Sequence, residues 1–289
     1  MRSKSLWGAL LAVSVLVLVF LSMSRHCKKD TGDVPKGAPE ETDTLAAAPA
    51  VPLYAKALLE AYPDFVCGYE DGSLLFRDGT TMACDDGLEK DYLQRLDETD
   101  IEDMFVDIYP MGSPSAPEYL CDPGRFRCEA FFKKMYGDTE ARVRTHLVQV
   151  DWFGQRLPFT EVNHAADSLK ATEKELKALL PQSEAYFQQS STFYWRKVRG
   201  AERLSAHSYG MTIDICVKYS DFWRWSNPGK EEMDEIVYKN RIPAEIVRIF
   251  EKHGFISGTK WYHYDTMHFE FRPDLLLYSG YMAECRSSE

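Results

Sequence analysis

The stretch Ser205–Val217, SAHSYGMTIDICV, sets a histidine, a glycine and an aspartate into what otherwise reads as an apolar strand. Successive side chains of a strand face opposite ways, so Met211, Ile213, Ile215 and Val217 share one face, and Thr212, Asp214 and Cys216 the other. The Asp214 carboxylate thereby escapes the core. Gly210 suits the positive φ of a turn or bulge, which lets His207 swing onto the Asp214 face.

A second stretch, Trp261–Pro273 (WYHYDTMHFEFRP), repeats the design. Met267, Phe269 and Phe271 form its apolar face, and His268, Glu270 and Arg272 point the other way. If the two strands are neighbours, His207, Asp214 and His268 converge as two imidazoles and one carboxylate. That is a donor set for one catalytic zinc ion with a fourth position open. A cation also explains why a buried carboxylate is tolerated, because burying it alone is very costly. Hydrolysis at such an ion needs a group that takes a proton from water and passes it on. Asp265, three residues before His268, is placed for that role. Arg196, in FYWRKVRG, could polarise a carbonyl or clamp a substrate carboxylate.

Around these two stretches the pattern is α+β, with an antiparallel sheet and flanking helices. YAKALLEAY reads as a helix, GSLLFRDGT as a hairpin turning at Asp78-Gly79, and DPGRFRCEAFFKKMYG as loop-rich. RVRTHLVQVDWFGQRLPFTEV alternates as a strand pair turning at Gly154. AADSLKATEKELKALL has helical spacing, with Leu169, Leu176, Leu179 and Leu180 on its apolar side. PAEIVRIFEKHG reads as a helix that buries Ile246, Val247 and Phe250 and stops at Gly254.

The ends of the chain set its compartment. Arg2 and Lys4 precede an apolar run of 18 residues, Leu6–Met23, close to the ~20 that cross a bilayer and longer than a usual cleavable signal. Residues 1–29 are therefore expected to be a signal or membrane-anchor segment of an exported protein. Bulky, charged Ser24-Arg25-His26 argues against lipid attachment at Cys27. Residues 30–52 are a Pro-, Ala- and acid-rich linker, 53–140 an accessory region without a chemical motif, and 141–289 the catalytic domain. Export makes disulfides available to the six cysteines beyond the linker; Cys67 with Cys84 and Cys121 with Cys128 are the local pairings expected. A net charge of -11 over 289 residues argues against nucleic acid as a partner.

With these residues in view, the chain resembles the zinc D-alanyl-D-alanine carboxypeptidase family, whose relatives include vancomycin-resistance dipeptidases and L-alanyl-D-glutamate endolysins. SAHSYGMTID fits S-x-H-x-x-G-x-x-x-D, and DTMHFE fits D-x-x-H-F-E. The resemblance covers roughly Val162 to Leu277. It implies a hedgehog-type α+β fold, zinc on His207, Asp214 and His268, and hydrolysis of peptidoglycan stem peptides. Three positions depart from the pattern: Asp265 where carboxypeptidases and dipeptidases carry glutamate, which is closer to the endopeptidase branch; Thr212 where alanine is common; and Thr259 where a second glycine is common.

Each of the other residues carries a plainer reading as well. Asp265 could cap a turn. His263 could support the site or lie on a strand surface. Glu270 could orient His268 or pair with Arg272. Ser205, Tyr209 and Trp261 could line the cleft or simply pack. A metallopeptidase and a non-catalytic, zinc-containing module that binds wall peptides are the two function classes consistent with the pattern.

Overall fold

The alternation in LVQVDW and QRLPFT is realised as a hairpin whose six residue pairs run in unbroken register from Leu147↔Thr160 to Trp152↔Gln155, joined at Phe153-Gly154. The computed structural model describes residues 50–288 apart from Ser113. In chain order the elements are α1 (Leu53–Ala61), β1 (Val66–Glu70), β2 (Ser73–Phe76), β3 (Thr81–Ala83), α2 (Tyr92–Asp97), α3 (Glu129–Tyr136), α4 (Glu140–Arg144), β4 (Leu147–Trp152) and β5 (Gln155–Thr160). There follow α5 (Ala165–Leu179), β6 (Thr212–Asp214), α6 (Trp223–Ser226), α7 (Ala244–Lys252), β7 (Phe255–Ser257), β8 (His268–Phe271) and α8 (Pro273–Ser287). Three small antiparallel sheets result: β1-β2-β3, β4-β5 and β6-β8-β7. Helices and strands are segregated, so the class is α+β.

The third sheet positions the site. Its centre is β8, with β6 on one edge and β7 on the other. Its register sets Ile213 opposite Phe269, and Asp214 opposite His268. The apolar pair faces a core in which Phe250 of α7 stacks on Phe269 at 3.8 Å between ring centroids. Both flanking helices fit their sequence pattern: α7 buries Ile246, Val247, Ile249 and Phe250, and α5 buries Leu169 and Leu176. One continuous core takes in residues from α1 through α8, so residues 53–140 share it with the rest of the described chain.

Several expectations need correction. The stretch expected as loop-rich contains α3, because Phe131, Phe132, Met135 and Tyr136 fall on one helical side and are all buried. The first residues expected as strand, up to Arg144, instead form α4, capped by the Thr139 side chain. Leu179 is 61% exposed, because α5 turns it away from its buried side. The strand pattern drawn through Val217 ends early: the chain leaves β6 after Asp214 and Val217 begins a 3-10 turn, which exposes it. No disulfide joins the six described cysteines; Cys67 is exposed and donates to the Leu75 carbonyl, whereas Cys84 is buried in the core. The expected anchor, and the linker up to residue 49, lie outside the described residues. Among those that are described, no helix is long and apolar enough to cross a membrane.

Candidate metal centre

His207 sits in the 3-10 turn Ala206–Tyr209. Gly210 closes that turn at φ 69°, in the left-handed region where a side chain is disfavoured, and returns the chain into β6. The His207 imidazole Nδ1 lies 2.6 Å from the Thr192 carbonyl. A carbonyl only accepts, so Nδ1 donates to it, and Nε2 is the ring nitrogen turned toward Asp214. Nε2 is 3.2 Å from Asp214 Oδ2. Across the β6–β8 pair, His268 Nδ1 is 3.0 Å from Asp214 Oδ1. One ligand atom from each of His207, Asp214 and His268 lies within 4.8 Å of the other two. Cross-strand register, and the turn ended by Gly210, are thus what bring the three expected ligands together.

This donor set fits a zinc ion: two imidazole nitrogens and a carboxylate oxygen, with each ring held from behind. His207 is held by Thr192. The other nitrogen of His268, Nε2, faces Glu270 Oε2 at 3.4 Å. Glu270 is fully buried and is gripped by Arg127, whose Nε and Nη2 donate at 3.0, 3.1 and 2.7 Å. Arg272, the partner first considered for Glu270, stands off at 3.7 Å and instead pairs with Asp274 at 2.8 Å. Glu270 thus lies between the His268 ring and Arg127, a cation that no sequence pattern announced.

The charges reinforce one another. Burial alone would raise the Asp214 carboxyl, but His207 and His268 outweigh it and hold it well below its usual range. Burial would lower His268, yet Asp214 and Glu270 push it up to about 9. Burial opposes ionisation of Glu270 too, and Arg127 with His268 overcomes it and keeps the carboxyl low. Asp265 goes the other way: burial first, then the Asp214 charge, raise its carboxyl above the ordinary value. Its Oδ1 is buried without a hydrogen-bond partner. Its backbone nitrogen donates to the Gly258 carbonyl at 3.1 Å and its own carbonyl accepts from His268 at 3.0 Å, so the main chain, not the carboxylate, makes the turn.

The remaining candidates separate clearly. The Trp261 ring lies 5.4 Å from the His268 ring and its Nε1 donates to the Pro123 carbonyl at 2.6 Å. His263 is buried, not on a surface; it pairs with Asp122 at 2.7 Å, meets the Tyr92 hydroxyl at 3.0 Å and donates to the Glu232 carbonyl at 2.8 Å. Arg125 completes that network through Tyr92 and Glu232. Tyr209 packs into the core against Phe132 and Tyr136, at 5.7 and 6.0 Å, and does not line a cleft. Ser205 is buried at the start of the His207 turn, its carbonyl accepting from Ser208. Arg196 is exposed, and its Nη1 reaches only the Lys197 carbonyl. Cys216 is buried and stands outside the cluster. Arg127, Asp122, Tyr92, Arg125 and Glu232 carry no motif in the sequence.

A second acidic group, Asp85, Asp86 and Asp100, also gathers oxygens, but the buried Lys90 ammonium already occupies it, 2.7 Å from Asp86 and 3.1 Å from Asp100. A cavity of about 720 Å³ lies elsewhere, lined by residues such as Glu60, Leu276 and Tyr281, and includes none of the cluster.

No curated protein and no solved structure matches the chain. Residues 199–271 match the model of a family described as D-alanyl-D-alanine carboxypeptidase, a stretch that encloses His207, Asp214, Asp265 and His268 and supports a peptidase of that family.

Proposed function

We propose that the chain is a zinc peptidase that hydrolyses peptidoglycan stem peptides, as an endopeptidase rather than a carboxypeptidase. The carrying observation is the meeting of His207, Asp214 and His268 beside the unpartnered Asp265 carboxylate. A zinc ion bound by those three residues supplies Lewis acidity, acidifying a water and polarising the peptide carbonyl. Asp265 does the proton work: its raised carboxyl accepts the proton of the attacking water and returns it to the leaving amine, at a position that no neighbour competes for. Arg196 pairs with no carboxylate among the described residues, which leaves its exposed guanidinium available to a substrate carboxylate or carbonyl. Aspartate in place of glutamate at 265 favours the endopeptidase branch, and the hedgehog-type architecture is part of the same proposal. The basic-apolar N-terminal segment supports export and a membrane tether, and the proposed place of action is the outer side of the cytoplasmic membrane, facing the wall.

Purified muropeptides incubated with the protein, with and without a chelator, test this by mass spectrometry. New fragments that vanish with chelator are expected, and their masses identify the bond. Absence of any metal-dependent product over a range of stem peptides contradicts the proposal and leaves the other reading, a zinc-containing module that binds wall peptides without cutting them.

A further inference from the structure

The segment Cys121–Arg127 lies outside the matched residues, yet it meets Trp261, Tyr262, His263 and Glu270, at the two ends of the stretch that carries Asp265 and His268. The Cys121 carbonyl accepts from the Tyr262 nitrogen at 2.9 Å, and the Pro123 carbonyl from the Trp261 indole at 2.6 Å. Asp122, fully buried, accepts from the His263 backbone at 2.9 Å and pairs with its ring at 2.7 Å. Gly124 packs so closely that a Cβ there would stand 2.3 Å from Ile256 Cδ1. Arg127 then closes on Glu270 with its three hydrogen bonds. Four of these contacts, from Cys121, Asp122, Pro123 and Arg127, hold the stretch that carries Asp265 and His268, and the last ends directly behind His268.

We propose that this segment is a positioning strap for the metal site, in which Arg127, acting through Glu270, fixes the orientation of the His268 imidazole and sets the affinity for the metal. The inference rests on the zinc reading above. Without Arg127 the fully buried Glu270 loses its three close hydrogen bonds and keeps only the His268 ring and the more distant Arg272, and a buried carboxylate that has lost its main partner no longer has a fixed position. Its movement loosens the ring it holds. Groups that orient a ligand from behind contribute about 10–100-fold to metal affinity.

The test is zinc affinity, read by competition with a chromophoric chelator, together with the visible spectrum of the cobalt-substituted protein. Arg127→Met is expected to bind zinc about 10–100-fold more weakly with a shifted cobalt spectrum, and Arg127→Lys to recover part of both. Leu176→Ala, a core truncation on α5, serves as the control for general loss of stability: it is expected to lower the melting temperature while leaving zinc affinity within about twofold, since it touches no ligand. Wild-type affinity and an unchanged spectrum in Arg127→Met would overturn the strap, as would an equal loss of affinity in Leu176→Ala. Failure of the wild-type protein to bind zinc would instead remove the zinc reading, so the two failures are distinguishable.

Discussion

At the scale of single residues, the site divides its labour between groups held low and a group held high. Asp214 and Glu270 stay ionised because cations and imidazoles overcome the cost of burial, while at Asp265 burial and the Asp214 charge outweigh the same imidazoles and push the carboxyl up. Asp265→Ala is therefore expected to retain one zinc per chain and to lose about 10²–10⁴-fold in turnover, read from metal analysis beside the muropeptide digest; equal activity would remove Asp265 from the reaction. His268 makes a separate prediction. Without metal it holds a proton up to about pH 9, and a ligand nitrogen must give that proton up. Zinc binding at neutral pH should thus release about one proton, and affinity should climb as pH rises toward 9 and then level off. Calorimetry in buffers of different ionisation enthalpy measures both. The ligand trio was legible in the sequence because strand alternation and a glycine-ended turn are local patterns. Arg127 was not, because its partner Glu270 is 143 residues away and nothing near Arg127 encodes that meeting.

At the scale of elements, the register of β6 on β8 is what converts two motifs into one site. A slip of one residue would exchange faces along a strand, sending Asp214 away from His268 and Ile213 out of the core. The turn before β8 is equally constrained. A Cβ on Gly258 would lie 2.3 Å from the Asp265 carbonyl oxygen, and backbone cannot yield as a flexible side-chain tip does. Gly258→Ala should therefore displace Asp265, costing about 1–3 kcal/mol of stability and most of the activity, with zinc affinity reduced less than turnover. Denaturant unfolding and the digest read these effects. The hairpin β4–β5 and the helices α1, α5 and α7 were readable from periodicity. Helix α3 was obscured by the Asp122-Pro123-Gly124 signal just before it and by Cys128, a residue that makes no side-chain cap. Early exit from β6 could not be read either, since Ile215-Cys216-Val217 continues the alternation and only tertiary packing ends it.

At the scale of the whole molecule, the upstream region is built into the site. Asp122 and Arg125 from that region interlock with Glu232 and His263 beyond it, and Tyr62 of the C-cap of α1 donates to Asp274 at 2.9 Å. A chain begun at residue 141 should fail to fold cooperatively, which near-ultraviolet dichroism and urea unfolding would reveal. The same network predicts acid sensitivity. Burial would raise Asp122 and Glu232, but Arg125 and His263 hold both below their ordinary values. Their folded values thus lie under the unfolded ones, about 4 for such carboxyls, so their stabilisation is complete above about pH 4 and is lost as pH falls further. Denaturation of the metal-free protein across pH 2–7 should show that fall, flattened in Arg125→Met.

The central claim is that His207, Asp214 and His268 hold a single zinc ion. X-ray absorption at the zinc edge of the purified protein tests it most directly. One zinc per chain is expected, in a shell of nitrogen and oxygen at about 2.0–2.2 Å, and lost in His207→Ala. Sulfur neighbours at about 2.3 Å, or zinc retained unchanged in that variant, would contradict it.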